Sequence, residues 1–257
     1  AGSVIFNNGP LLCVGADPHP EILHGWGLDV SIKGLAEFNN VFLDSLPEAL
    51  AIVKPQVSLY ESYGSRGMAE LEDLLTKLGQ KGLYTIADAK RADIGSSMRG
   101  YAQAWLAKDA PFLASAVTIN PYLGVDSLRE TIETASENQK RVFVLVATSN
   151  PEAVELQRDG VSRKILQSLA NYDANALGVV IGATVDTKFY GLDQLLTETG
   201  LTILAPGFGA QGIELSDASS LFPAHSHNVI ANVSRSVLAG NPANLRTRIE
   251  SALGELR

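Results

Sequence analysis

Eight short apolar runs, rich in β-branched residues, punctuate the chain at nearly even intervals. They are Leu11–Gly15, Ala51–Val53, Leu83–Ala87, Ala114–Ile119, Val142–Ala147, Gly178–Ile181, Leu201–Ala205 and Asn228–Ala231. Each stops at a polar, Gly or Pro residue: Asp17, Lys54, Asp88, Asn120, Thr148, Gly182, Pro206 and Asn232, with 24 to 37 residues from one stop to the next. That interval matches one strand plus one crossover helix. Runs that are continuously apolar, rather than alternating, suit parallel strands covered on both faces.

Helical periodicity fills the intervals. Ile32–Leu46 carries Leu35, Phe38, Val41 and Phe42 on one stripe, and Glu70–Leu78 carries Leu71, Leu74, Leu75 and Leu78. Met98–Ala107, Leu128–Ala135 (with Asp126 as its expected cap), Val161–Ala170, Leu192–Thr197 and Leu245–Leu256 complete the set. Eight alternating units without a linker-like stretch predict one α/β domain over residues 1–257, a single (β/α)8 TIM barrel. No weight rests on Ala1-Gly2-Ser3.

Composition narrows the function classes. With 20 basic against 28 acidic residues the net charge is −8, which argues against nucleic acid and anionic membranes as partners. No apolar run approaches the roughly 18 residues of a membrane span, and no signal peptide is visible. The single cysteine, Cys13, lies in an apolar run as an expected core thiol, and a reducing, cytoplasmic setting fits it best.

A barrel of this kind places its chemistry at the C-terminal strand ends. There the stretch Asp88-Ala89-Lys90-Arg91-Ala92-Asp93-Ile94-Gly95-Ser96-Ser97 concentrates charge. Strand alternation puts Asp88 and Lys90 on one face. Asp17 and Lys54 end the two preceding strands, so the four groups can alternate in sign across the mouth. At roughly 4 Å and an effective dielectric near 20, each such contact is worth about 4 kcal/mol before desolvation. Such a network keeps lysines protonated and aspartates ionised, which suits a general-acid ammonium beside a permanent carboxylate.

A second constellation, Pro206-Gly207-Phe208-Gly209-Ala210-Gln211-Gly212, follows run seven. Its glycines match G-x-G-x-x-G formally, but only 45 residues follow Gly212, too few for the rest of a dinucleotide fold. A phosphate loop fits better, with bare amides, Gln211 reaching in, and Ser234-Arg235 after run eight supplying a guanidinium at a helix start. Gln56 shares the face of Lys54, and Thr148-Ser149 offers donors to a flat heterocyclic edge. His225-Ser226-His227 has metal-ligand spacing but precedes run eight, where a surface loop is expected. His19 lacks the carboxylates of a metal triad, so no metal site is predicted.

The motif Asp88-x-Lys90-x-x-Asp93-Ile94-Gly95 with Val53-Lys54-Pro55-Gln56 resembles orotidine 5′-monophosphate decarboxylase. Leu12 to Pro20, Thr148-Ser149-Asn150-Pro151, Pro206 to Gln211 and Ser234-Arg235 are similar to that family's longer-chain, type 2 branch. The resemblance implies a homodimeric barrel that converts orotidine monophosphate to UMP, in pyrimidine synthesis, with no cofactor or metal. It implies that Lys90 protonates C6, that Asp88 faces the substrate carboxylate, and that Lys54 holds Asp88 and contacts the ribose. Asp93 would complete the partner subunit's site, with Ile94 and Ser97 nearby, and Asp17 would bind the ribose in its own subunit. Ser149 and Gln211 would contact the base, and Gln211 and Arg235 the phosphate; Gln56, Thr148, Pro206, Gly209 and Ser234 join the expected substrate contacts. Ser97, where the family usually has Thr, and Ala16, where a larger aliphatic is common, depart from the pattern without removing a catalytic group. Metal-dependent sugar-phosphate enzymes share the Asp-x-Lys-x-x-Asp pattern but look for a carboxylate at the position of Lys54.

Overall fold

The computed structural model describes residues 9–223 and 225–256; Ala1-Gly2-Ser3 lie outside them. Eight strands, β1 (Leu11–Ala16), β2 (Ile52–Pro55), β3 (Tyr84–Arg91), β4 (Ala116–Ile119), β5 (Arg141–Ala147), β6 (Leu177–Ile181), β7 (Thr202–Pro206) and β8 (Val229–Val233), pair in parallel and in chain order. β8 closes onto β1 through Leu11↔Ile230 to Val14↔Val233, so the barrel leaves no edge. All eight apolar runs are strands, with ends displaced by four residues at most, at the end of β3.

Side-chain alternation sorts the strands into two cores. Cys13, Ile52, Ile86, Ala116, Phe143, Val180, Leu204 and Ile230 pack together inside the barrel. The opposite parity, including Val14, Val53, Ala87, Val117, Val144, Val179, Ile203 and Ala231, meets the helices outside. Gly178 has no Cβ because the Phe143 ring occupies that space: an ideal Cβ would lie 2.4 Å from Phe143 Cε1. Two residues further along four of these inward rows, the apolar filling gives way to Lys54, Asp88, Thr118 and Asn232, all buried. The chemistry thus stands on the floor that the inner core provides.

The helices follow the periodicity. Ile32–Ser45 is capped by Ser31, whose Oγ accepts the Gly34 N–H at 3.1 Å, and buries Leu35, Phe38 and Phe42. Gly64–Gln80, Gly95–Trp105, Arg129–Glu137, Ser162–Leu169, Asp193–Thr199 and Leu245–Glu255 match the other predicted stretches. Asp126 is not a cap, however. It lies inside a 3-10 turn, Val125–Leu128, and its carboxylate takes Arg129 and the Tyr172 hydroxyl instead. The helix after β8 is only Arg235–Leu238, one turn long.

One irregularity bears on the site. β3 and β4 run in register at Ile86↔Ala116 and Ala87↔Val117, then resume at Arg91↔Ile119. Asp88, Ala89 and Lys90 therefore stand opposite Thr118 alone, a bulge that bends the strand end over the barrel mouth. Within it Lys90 has φ +48°, a left-handed conformation that costs a residue with a Cβ.

Candidate active site

The charged cluster is built at the mouth from three strands. Lys54 Nζ lies 2.9 Å from Asp88 Oδ2, and Lys90 Nζ lies 2.6 Å from Asp88 Oδ1. The Thr118 hydroxyl donates to the same Oδ1 at 2.8 Å. Three donors on one buried carboxylate favour its ionised form. Burial alone would raise the Asp88 pKa, but the ammoniums of Lys54 and Lys90 outweigh it and hold the carboxyl well below the usual range. Burial alone would likewise lower the Lys54 pKa; Asp88, with Asp17 behind it, holds it above the usual lysine range. Lys54 is walled in, whereas the Lys90 side chain is 45 % exposed and opens into a cavity of about 510 Å³.

That cavity brings together many of the residues singled out above. Lys54, Asp88, Lys90, Thr148, Ser149 and Pro206 line it, with apolar Leu145, Val180 and Leu204 as its floor. Gln211 reaches its rim, donating to Ser149 Oγ at 3.2 Å, so the loops after β5 and β7 meet there. Gly209 (φ +72°) lets the β7 loop pass close to β8's exit, since a Cβ there would fall 2.6 Å from Ser236 Oγ. Arg235 is exposed beside that loop and pairs with no carboxylate among the described residues.

Asp17 departs from the expected ring of ion pairs. The register Gly15↔Lys54 sets Asp17 two residues above Lys54, so the two do not bond, and Asp17 acts on Lys54 only through its field. Asp17 Oδ1 and Ser234 Oγ are both buried without a hydrogen-bond partner. The two side chains converge over Gly15, where an ideal Cβ would stand 2.8 Å from Asp17 Oδ2 and 3.0 Å from Ser234 Oγ. A buried polar atom without a partner is costly, so each of the two calls for a bond that the chain itself does not supply.

Other expected residues stay outside the cavity. Gln56, on the face of Lys54, donates instead to Ser58 Oγ at 3.2 Å. Asp93, Ile94 and Ser97 lie beyond the strand end and do not line it; Asp93 Oδ1 accepts the Ile94 N–H at 2.8 Å, and Ile94 and Ser97 are exposed. The His225 reading needs correction. His225 is buried rather than in a surface loop, and its Nε2 lies 3.3 Å from Thr197 Oγ1, away from the cluster. Burial lowers its pKa. Cys13 is the packed thiol expected, donating weakly to Asn232 Oδ1.

Two contributors escaped the sequence reading. Thr118 looks like one more strand former inside an apolar run, yet it shares the inward parity of Asn120, which was the available signal. Gln157 clasps Thr148 from the next loop, its Oε1 accepting the Thr148 N–H at 2.8 Å and its amide donating to Thr148 Oγ1 at 3.0 Å. That loop is kinked at Asp159 and Gly160, a geometry with no periodic signature.

Comparison with known proteins agrees with this geometry. A model of the orotidine 5′-phosphate decarboxylase / HUMPS family matches residues 10–245. The orotidine 5′-phosphate decarboxylase of Corynebacterium glutamicum (strain R) is 44% identical over 245 residues, covering 90% of this chain and 86% of its own. That of Streptomyces coelicolor is 40% identical over 265 residues, covering 97% and 92%. A crystal structure from Streptomyces avermitilis, described as a candidate orotidine 5′-phosphate decarboxylase, superimposes with a TM-score of 0.87 at 41% identity, covering 97% of this chain and 90% of that one. An eight-stranded barrel whose mouth carries Lys54, Asp88 and Lys90 in contact, matched along nearly its whole length by these relatives, belongs to the orotidine 5′-phosphate decarboxylase family.

Proposed function

We propose that this protein, as one barrel domain of the longer-chain branch, decarboxylates orotidine 5′-monophosphate to UMP without metal or cofactor, as a carboxy-lyase of pyrimidine synthesis in the cytoplasm. The observation that carries the reading is the Lys54–Asp88–Lys90 chain, in which Asp88 is shared and Lys90 is the more exposed of the two ammoniums that line the cavity. In the reaction the bond from C6 to the carboxylate carbon breaks, CO2 leaves, and the electron pair stays on C6. That carbanion has no electron sink, so an ammonium fixed at C6 stabilises charge where it develops. Lys90 Nζ gives C6 its proton, and the neutral amine then recovers one from water. Asp88, kept ionised, sits against the departing carboxylate and disfavours the bound ground state.

Binding is divided among the other residues. Gln211 and Ser149, already bonded to each other, suit the edge of the base, with Thr148 beside them. Arg235, Ser234, Gly209 and Pro206 suit the phosphate, far enough from C6 to supply remote binding energy. Asp17, unpartnered at Oδ1, suits a ribose hydroxyl. Asp93, Ile94 and Ser97 point the site toward a second copy, with Asp93 completing the partner's ribose contacts in a homodimer. Exposed Ile94 and the exposed apolar residues Tyr122 and Leu123 near the same rim support that assembly.

The test is loss of orotidine monophosphate absorbance on adding the protein in excess chelator. Turnover unaffected by chelator is expected. Activity abolished by chelator and restored by a divalent metal would move the protein to the metal-dependent sugar-phosphate branch of the superfamily, although Lys54 stands where that branch needs a carboxylate.

A further inference from the structure

We propose that Thr118 is a positioning residue for the Asp88–Lys90 pair, its one hydroxyl holding both members of the β3 bulge at once. The inference rests on the decarboxylase reading for its kinetic form, but its geometric basis is independent. Between the registered pairs Ala87↔Val117 and Arg91↔Ile119, three residues of β3 face a single residue of β4. A bulge of that size deprives Lys90 of a ladder partner on β4. The Thr118 side chain supplies one: its Oγ1 accepts the Lys90 N–H at 3.0 Å. The same hydroxyl spends its proton on Asp88 Oδ1 at 2.8 Å, the oxygen that also takes Lys90 Nζ.

The arrangement has a directional logic. A hydroxyl has one proton, so accepting from the Lys90 amide and donating to the carboxylate uses both of its roles. The backbone and the side chain of Lys90 are thereby referred to one fixed point, because Asp88 receives the ammonium and Thr118 receives the amide. Lys90 itself sits at φ +48°, outside the region a residue with a Cβ prefers, and such a conformation persists only where its surroundings over-determine it. Thr118 borders the cavity yet is only 1 % exposed, so its hydroxyl is committed to these two partners. A hydroxyl needed merely to fill the bulge would not have to touch Asp88 at all.

The experiment compares Thr118→Val, which keeps the volume and removes both hydrogen bonds, with Thr118→Ser, which keeps both bonds and removes a methyl. Misplacement of a catalytic group by a fraction of an ångström to an ångström costs up to about 100-fold, so kcat of Thr118→Val is expected to fall about 10- to 100-fold with KM changed less than about threefold. Thr118→Ser is expected within about threefold of wild type. Wild-type kcat in Thr118→Val would overturn the proposal, as would equal losses in the serine and valine variants. If the valine variant does not fold, Thr118→Ala takes its place, with the same expectations. A crystal structure of the valine or alanine variant reads the inference without turnover: Lys90 is expected to leave the left-handed region, and retention of φ near +48° with Asp88 unmoved would contradict it. An inactive wild type would defeat the decarboxylase reading while leaving that structural result to stand or fall by itself.

Discussion

Asp88 is the residue on which the site turns, because it is buried, charged and shared. Its carboxylate is stabilised by two ammoniums and a hydroxyl, and its folded-state pKa is depressed. A depressed carboxyl pKa contributes stability that is fully present above the unfolded value, near 4, and is lost as pH falls below it toward the folded value. Removing the charge leaves Lys54 buried and uncompensated, so Asp88→Asn should cost about 3 kcal/mol at pH 7. For a chain of this size that corresponds to roughly 6–12 °C in Tm. Denaturant unfolding at pH 7 and pH 3 checks the sign: the gap between wild type and variant should narrow as pH falls, and a gap that widens would contradict the assignment. The individual charges were readable because lysine and aspartate at the ends of apolar runs stand out. The bonding among them was less so. Asp17 belongs to the same set of strand ends, yet the register of β1 on β2 lifts it clear of Lys54, and register is fixed by pairing rather than by composition.

Among the elements, the strands were readable because burial on both faces leaves an uninterrupted apolar signature, and the spacing between them leaves room for one helix each. What lay between was not uniformly so. The 3-10 turn at Val125–Leu128 and the kinked segment around Gly160 carry no period, and the bulge in β3 exists only with respect to β4. The two loops proposed for phosphate follow β7 and β8 and carry Gln211 and Arg235, neither of which lines the cavity with Lys90. Arg235→Ala should therefore raise KM for orotidine monophosphate by roughly 10- to 100-fold, the loss of one charge-assisted pair, while kcat falls much less. Steady-state kinetics distinguish the cases; an unchanged KM would remove Arg235 from the phosphate site.

The whole barrel is a scaffold that closes itself without an edge and presents one mouth. Asp93, three residues past Lys90, does not line the cavity of its own chain, while Ile94, Tyr122 and Leu123 are exposed on the same rim. If Asp93 serves a second subunit, Lys90→Ala and Asp93→Ala are defective in different places. Each should be inactive or nearly so alone, and an equimolar mixture refolded or exchanged to equilibrium should recover about a quarter of wild-type activity, since half the dimers are mixed and each has one intact site. No recovery, with mixed dimers demonstrated by mass, would place Asp93 in its own subunit's chemistry or outside it. The net charge of −8 excludes none of this, because one local guanidinium suffices for a phosphate.

The account rests on Lys90 as the group that delivers the proton to C6, beside a carboxylate that never neutralises. UMP formation from orotidine monophosphate by Lys90→Ala, measured against wild type in the presence of chelator and with the fold verified by circular dichroism, addresses it. A fall of about 1,000-fold or more with the fold intact is expected, within the range that loss of a positioned acid and its electrostatic stabilisation produces. Turnover by Lys90→Ala within tenfold of wild type would contradict it.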